Sequence, residues 1–176
     1  FSPLGGAEKR IAKYRLSDNY SRFYLRYIEP EKKRIEKGLY RTRPLETLPQ
    51  WDTLMGLQFE NLVLGNRDPL LRHIDLANTP ILNAGPYFQA KTLRTEACQI
   101  DMLLRTKKSL YVVEIKLREK IPPACITDVQ EKIRRLKLPK GSPCRTVLVY
   151  QGELDASIPD EDFFDYLVPF ERLFEA

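Results

Sequence analysis

Asp101, Glu114 and Lys116 are the residues of this sequence whose types and spacing best suit metal-ion and acid–base chemistry. Alternating apolar residues predict two short strands, one carrying Asp101 and the other carrying Glu114 and Lys116 on the same face. The segment 106–109 between them predicts a tight connection. A hairpin of these strands would place the two carboxylates on one face of adjacent strands.

Each predicted strand has a distinct apolar face. In the first strand we expect Ile100, Met102 and Leu104 to share one face and Asp101 to project from the other. In the second strand the apolar face lies opposite Glu114 and Lys116.

Two carboxylates that are about 4 Å apart repel each other by roughly 4 kcal/mol at an effective dielectric constant near 20. Lys116 would offset part of this repulsion, and a divalent cation such as Mg²⁺ would offset more. Metal ligands, an activated water and a nearby cation are what phosphodiester hydrolysis requires. The alternative is a solvated sheet face whose opposite charges pair across the pleat, and this stretch alone leaves both interpretations open.

The order of Asp101 and then Glu114-Ile115-Lys116 resembles the D…ExK core of the PD-(D/E)XK nuclease superfamily. This resemblance implies a restriction-endonuclease-like α/β fold, with Mg²⁺ or Mn²⁺ bound by Asp101 and Glu114 and with Lys116 helping to activate a water. It also implies a glutamate on a helix before the sheet, which Glu60 matches and which would assist through the metal or its water. A Gln or Lys is expected on the helix that follows the core.

That following helix is predicted after Pro122-Pro123, with an apolar stripe that includes Ile126 and Val129. Gln130 and Lys132 are the residues that match the superfamily's Gln or Lys. Since Gln130 lies at the edge of the stripe, we expect it, rather than Lys132, to orient a water. The remaining cations are expected to be solvated or to contact DNA phosphates: Lys132, Arg134 and Arg135.

The segment YRLSDNYSRFYLRYIEP, together with the later acidic core, resembles the C-terminal region of the archaeal-type ATPase family. In that family a P-loop ATPase domain and a winged helix precede a PD-(D/E)XK-like domain. The resemblance implies that residues 1–46 are a helical winged-helix remnant and linker and that residues 47–176 are the nuclease-like domain. With Phe1 as its first residue, the chain is expected to be part of a larger ATPase, with DNA as a partner.

The remaining elements predict an α/β fold with a mixed central sheet, helices on both sides and an N-terminal helical appendage. We expect a strand over residues 10–16 and an aromatic helix that Ser17 or Asp18 can cap and Pro30 ends. Trp51 begins a longer helix that carries Glu60. The first sheet strand is expected at Tyr87–Leu93, a buried strand at Arg145–Tyr150, a short helix at Asp160–Phe164 and a strand at Tyr166–Val168.

Composition excludes several other functions. The three cysteines contain no CxxC pair, which argues against a disulfide framework or zinc site and favours a reducing cytoplasm. His73 is the only histidine, which excludes multi-histidine metal centres. The sequence has no GxxxxGK[ST] phosphate loop, so this chain should not hydrolyse ATP by that mechanism. It also has no apolar run long enough to span a membrane. A net charge of +5 and a pI near 9.1 permit contact with nucleic acid.

The sequence therefore predicts a metal-dependent DNA endonuclease-like module. The rival interpretation is a non-catalytic nuclease-like domain that regulates or binds DNA or a partner protein. Lys116→Met should abolish cleavage if the first interpretation holds.

Overall fold

A five-stranded mixed sheet forms the centre of the computed structural model, which describes residues 15–41, 44–93, 95–136 and 143–175. The strands are β1 (Asn83–Gln89), β2 (Cys98–Arg105), β3 (Leu110–Ile121), β4 (Cys144–Leu154) and β5 (Tyr166–Pro169). The helices are α1 (Asn19–Phe23), α2 (Lys32–Glu36), α3 (Trp51–Gly65), α4 (Arg67–His73), α5 (Ala124–Arg135) and α6 (Ser157–Asp160). Short π or 3-10 turns occupy Tyr24–Ile28, Glu29–Glu31, Leu45–Thr47 and Phe170–Phe174.

The strands lie in the order β1-β2-β3-β4-β5. The β1–β2 and β2–β3 pairs are antiparallel, whereas the β3–β4 and β4–β5 pairs are parallel. Parallel neighbours need a long crossover connection, and α5 lies between β3 and β4 in the chain. The predicted hairpin is confirmed, because the backbone N–H of Thr106 donates to Ser109 O over 3.0 Å where β2 turns into β3.

Helices cover both faces of this sheet. On one face α3, α4 and the final 3-10 turn pack in one apolar cluster with β-strand residues such as Val113 and Val147. On the other face α5 and α6 pack in a second cluster with residues such as Val112 and Leu148. The alternation of Val112 and Val113 between the clusters follows from the twofold period of a strand. The predicted mixed sheet with helices on both sides is thus confirmed.

A β-bulge interrupts the pairing of β1 with β2. Gly85 pairs with Leu103, but two residues further along β1, Tyr87 pairs with Ile100. Asp101 and Met102 therefore share the place opposite a single residue of β1. That residue is Pro86, which has no N–H to donate to a ladder, and strand prolines are found at edges and bulges for this reason.

The bulge changes which side chains of β2 share a face. Ile100 packs in the cluster beneath α5, whereas Met102 and Leu104 pack in the cluster beneath α3. The expectation that all three share one face is wrong, because the extra residue of a bulge reverses the alternation. Asp101 lies at the point of reversal.

Two other elements begin and end a few residues before their predicted bounds. The first strand is Asn83–Gln89 rather than Tyr87–Leu93, because β1 is an edge strand that tolerates Pro86. The short helix near the C-terminus is Ser157–Asp160 rather than Asp160–Phe164. The strand predicted at Tyr166–Val168 is confirmed.

The N-terminal segment packs against the start of α3. Of the two predicted caps, Ser17 and Asp18, it is Asp18 that caps α1, and its carboxylate accepts from Ser21 N over 2.7 Å. Tyr27 is buried with Leu48 and Leu54, and its hydroxyl donates to Pro49 O over 2.8 Å. The aromatic stripe is therefore largely a packing face.

Pro30 does not end this helical path, because it occupies the first turn of a 3-10 segment that leads into α2. Most of the strand expected over residues 10–16 lies outside the described residues. Within the described ranges, no helix has the length and apolar character needed to cross a bilayer.

Candidate active site

Asp101 lies where the β2–β3 ladder ends. The paired residues run from Arg105 and Leu110 to Met102 and Val113, and Asp101 follows directly. There its Oδ2 accepts a hydrogen bond from the backbone N–H of Ile115 over 2.9 Å. The side chain is thus fixed against β3 at the level of Glu114, as the sequence pattern predicted.

Glu114 is completely buried and is held by two lysines from different elements. Lys116 of β3 places Nζ 2.7 Å from Oε1 of Glu114, and Lys132 of α5 places Nζ 2.5 Å from Oε2. A buried carboxylate needs such partners, because its desolvation costs several kcal/mol. The Lys116 contact is an ion pair without hydrogen-bond geometry, so Oε1 accepts no hydrogen bond from the described residues.

Electrostatics single out Asp101 among the acidic residues of this site. Burial raises the pKa of Asp101 to about 6, and the charge of Glu114 adds to the rise. Lys132 and the hydrogen bond from Ile115 act in the opposite direction. Asp101 therefore titrates close to neutral pH, whereas an ordinary aspartate does so near 3.9.

Lys116 remains protonated at neutral pH. Burial lowers its pKa, but the adjacent negative charge of Glu114 outweighs this, so the pKa of Lys116 lies above its ordinary value. A lysine in this state donates hydrogen bonds and supplies positive charge, and it does not act as a proton acceptor.

Glu60 on α3 is close enough to raise the pKa of Asp101 through its charge. It nevertheless has a partner of its own, since Arg15 Nη2 lies 2.8 Å from Glu60 Oε2. The same guanidinium donates through Nε to Asn61 Oδ1 over 2.5 Å. Glu60 therefore borders the site as predicted but is held by the N-terminal segment, a contact that no sequence signal indicated.

The structure places Gln130 and Lys132 differently from the prediction. Gln130 is exposed, whereas Lys132 reaches Glu114. The end of α5 contacts β2, where the Cys98 thiol donates to Lys132 O over 3.3 Å. Lys132, and not Gln130, therefore reaches the carboxylate.

Arg134 and Arg135 are engaged in a surface network rather than free to meet phosphates. Both pair with Glu131 and with Glu96, at distances from 2.6 to 3.1 Å. Each of them lies on the exposed side of α5. Contacts of these arginines with DNA remain a prediction.

A cleft of about 970 Å³ opens beside the site, between α3 and the end of β3. Its lining includes Trp51 and Glu60 of α3 and Lys116 and Arg118 of β3. Lys116 therefore connects the buried Glu114 to the cleft, and a substrate in the cleft can reach the Lys116 ammonium group.

A second bulge shapes the rim of this cleft. Leu117 pairs with Gln151 and Lys120 with Glu153, so β3 carries one more residue than β4 over this span. Gly152 faces the bulge with φ +118°, and a Cβ at this position would lie 1.7 Å from Arg118 O. Only glycine permits so close a backbone approach.

The residues of the site suit a metal centre completed by waters and substrate phosphates, and they do not suit one enclosed by protein ligands alone. Within the described ranges, no group of three or more His, Cys, Asp or Glu side chains comes together. A dedicated all-protein metal cage is therefore not formed there. Mg²⁺ commonly binds one or two carboxylates together with waters and substrate phosphates, and Asp101 with the Oε1 atom of Glu114 fits that donor set.

Comparison with known proteins assigns no family to this chain. No family model matches the sequence, and a search of curated proteins finds no significant match. The resemblance to PD-(D/E)XK nucleases thus depends on the D…ExK spacing and the accompanying segments of the sequence.

Proposed function

We propose that this chain is a divalent-metal-dependent phosphodiester hydrolase that acts on DNA, of the PD-(D/E)XK type. The observation that supports this proposal most is the meeting of Asp101, Glu114 and two lysines, of which Lys116 also lines the cleft. A buried carboxyl with a pKa near 6, adjacent to a second carboxylate, is typical of functional sites.

Asp101 and Glu114 would hold Mg²⁺ or Mn²⁺. The metal would supply positive charge at the phosphate and lower the pKa of a bound water. Asp101 already accepts the backbone hydrogen bond of Ile115, which fixes its direction. This arrangement holds the carboxylate in place before any ligand arrives.

The lysines have separate roles in this proposal. Lys116 borders the cleft and remains protonated, so it would position the attacking water or stabilise the charge that develops on the phosphate. Lys132 lies on the other oxygen of Glu114 and would keep that carboxylate oriented. Glu60 would act on Asp101 only through its charge.

The test is cleavage of supercoiled and single-stranded DNA with Mg²⁺ or Mn²⁺. We expect metal-dependent cutting that Lys116→Met and Glu114→Ala abolish, with folding checked by circular dichroism. The matched control is Lys107→Met, an exposed lysine in the β2–β3 turn far from the cleft. Cutting that survives Lys116→Met would refute the role given to that lysine.

A second candidate function is a non-catalytic nuclease-like domain within a larger ATPase that binds DNA or a partner protein. One observation favours it: Glu114 and Glu60 already have cationic partners within the protein. Such pairs also occur in purely structural ion networks. Calorimetric titration with Mn²⁺ separates the two functions, because the hydrolase requires binding that Asp101→Asn removes, and the second candidate predicts no binding.

A further inference from the structure

We propose that the cleft binds single-stranded DNA, with an unpaired base stacked on Trp51 and a backbone phosphate at Arg118. The inference rests on the proposed function and names the form of its substrate. The D…ExK pattern does not distinguish single-stranded from duplex DNA. The side chains that line the cleft do.

Trp51 offers a fixed aromatic surface at one end of the cleft. It occupies the first turn of α3 and is partly exposed. Phe23 packs against it edge-on, with ring centres 6.5 Å apart, and the Tyr27 ring centre lies at 6.2 Å. Because these neighbours hold the indole in place, a base could stack on its free surface without ordering a mobile side chain.

Stacking of this kind requires an unpaired base. In a duplex the base faces are already stacked on each other, whereas proteins that bind single strands use aromatic side chains as platforms. Each stacked base contributes roughly 1–3 kcal/mol by alanine substitution. An aromatic wall inside a cleft therefore favours a single strand.

The size of the cleft also favours a single strand. Its basic lining residues are Lys116, Arg118 and Lys120, and its acidic ones are Asp52, Glu60 and Glu119. Grooves that bind duplex or single-stranded DNA are both positively charged, so this balanced set does not distinguish the two forms. The cleft volume of about 970 Å³ lies at the upper end of pockets that enclose small ligands, which suits a few nucleotides of one strand.

Arg118 is the cation best placed to meet a phosphate. Lys116 pairs with Glu114, and Lys120 lies 3.3 Å from Asp155. Arg118 is exposed, and its side chain forms no ion pair or hydrogen bond with the residues that the structure describes. It lies in the β3 bulge, and bulges next to functional sites commonly redirect a side chain.

Trp51 is the only tryptophan of the sequence, so its fluorescence reports directly on this cleft. We would titrate the protein with a short oligothymidylate in EDTA, where no metal-dependent cleavage occurs. The expected result is saturable quenching that a duplex of equal length does not reproduce. An abasic oligonucleotide with the same phosphates should bind at least roughly fivefold more weakly, because it lacks the stacked base.

Arg118→Ala tests the phosphate contact. It should reduce the slope of log K against log salt concentration by about 0.7, the value for one phosphate on a single strand. Lys107→Ala, in the distant β2–β3 turn, should leave that slope unchanged.

Equal binding of duplex and single strand, an absence of quenching, or an unchanged slope for Arg118→Ala would each overturn the inference. The two proposals can be refuted independently. A protein that binds oligothymidylate in EDTA but never cleaves DNA refutes the hydrolase and supports the strand-binding cleft. Preferential duplex binding together with metal-dependent cutting refutes the strand-binding cleft and supports the hydrolase.

Discussion

Asp101→Asn should stabilise the metal-free protein, and increasingly so as the pH rises. Asp101 titrates at about 6 in the native state and near its ordinary value of 3.8 when unfolded. Between these values the native chain retains a proton that the unfolded chain has lost, so native stability falls as the pH rises. At about 1.4 kcal/mol for each pKa unit, the loss is roughly 3 kcal/mol above pH 6.

Asparagine imitates the protonated carboxyl and can still accept the hydrogen bond from Ile115 N. The difference in free energy of unfolding between Asp101→Asn and wild type should therefore grow from near zero at pH 4 to roughly 3 kcal/mol at pH 8. Urea unfolding in EDTA across this range measures it. A difference that does not change with pH would refute the conclusion that burial and Glu114 oppose ionisation of Asp101.

Asp165→Asn provides a control of opposite sign. Burial works against the ionised form of Asp165, but Arg145 and Thr146 outweigh it and hold its pKa below the ordinary value. This carboxylate contributes stability above its unfolded pKa, and the contribution is lost as the pH falls through its native pKa. Asp165→Asn should thus destabilise the protein at pH 7 and have less effect in acid.

Three further predictions follow from the same contacts. Lys132→Met should destabilise the protein by roughly 2 kcal/mol, since buried Glu114 loses one of its partners, whereas Lys120→Met breaks an exposed pair and should cost less than about 1 kcal/mol in urea unfolding. Gly152→Ala should cost roughly 3 kcal/mol because its Cβ meets the backbone of the β3 bulge, while Gly56→Ala in α3, with open space around it, should stabilise by about 0.5–1 kcal/mol. Calorimetric Mn²⁺ affinity should rise about tenfold for each pH unit up to about pH 6 and then level off, because the metal competes with the proton on Asp101; a pH-independent affinity would exclude Asp101 as a ligand.

Periodicity and turn residues were sufficient to predict much of the fold. The β2–β3 hairpin, the helix from Trp51 and the buried strand at Arg145–Tyr150 all follow local patterns that the tertiary structure does not override. The position of Glu114 and Lys116 on one strand follows from the twofold period alone. Local rules succeed here because the local pattern of each segment agrees with its place in the packed structure.

The bulge in β2 could not be predicted from β2 itself. Its cause lies in another strand, where Pro86 lacks a backbone donor and one residue of β1 faces two of β2. The sequence of β1 resembles a turn because it combines Gly85 and Pro86. A Gly-Pro pair within an edge strand is the signal that would place β1 at Asn83–Gln89 and indicate the reversal of faces at Asp101.

The contact of Lys132 with Glu114 depends on a different kind of information. A helical wheel identifies the stripe of α5 but leaves open which edge of the stripe faces Glu114, because that depends on the tilt of the helix across the sheet. Gln130 and Lys132 lie on opposite edges, so the pattern could not choose between them. The pairing of Arg15 with Glu60 is similarly set by the path of the N-terminal segment over α3.

The charge balance of the site links its assembly to the packing of α5. The two oxygens of buried Glu114 are paired because Lys116 and Lys132 arrive together, one from its own strand and one from the crossover helix. If α5 separates from the sheet, Glu114 loses the ammonium group that holds its Oε2 atom in place. The same carboxyl would then be a poorer metal ligand, because the groups around a metal site orient its ligands. In the proposed hydrolase, correct docking of α5 is therefore a condition for metal binding as well as for a stable fold.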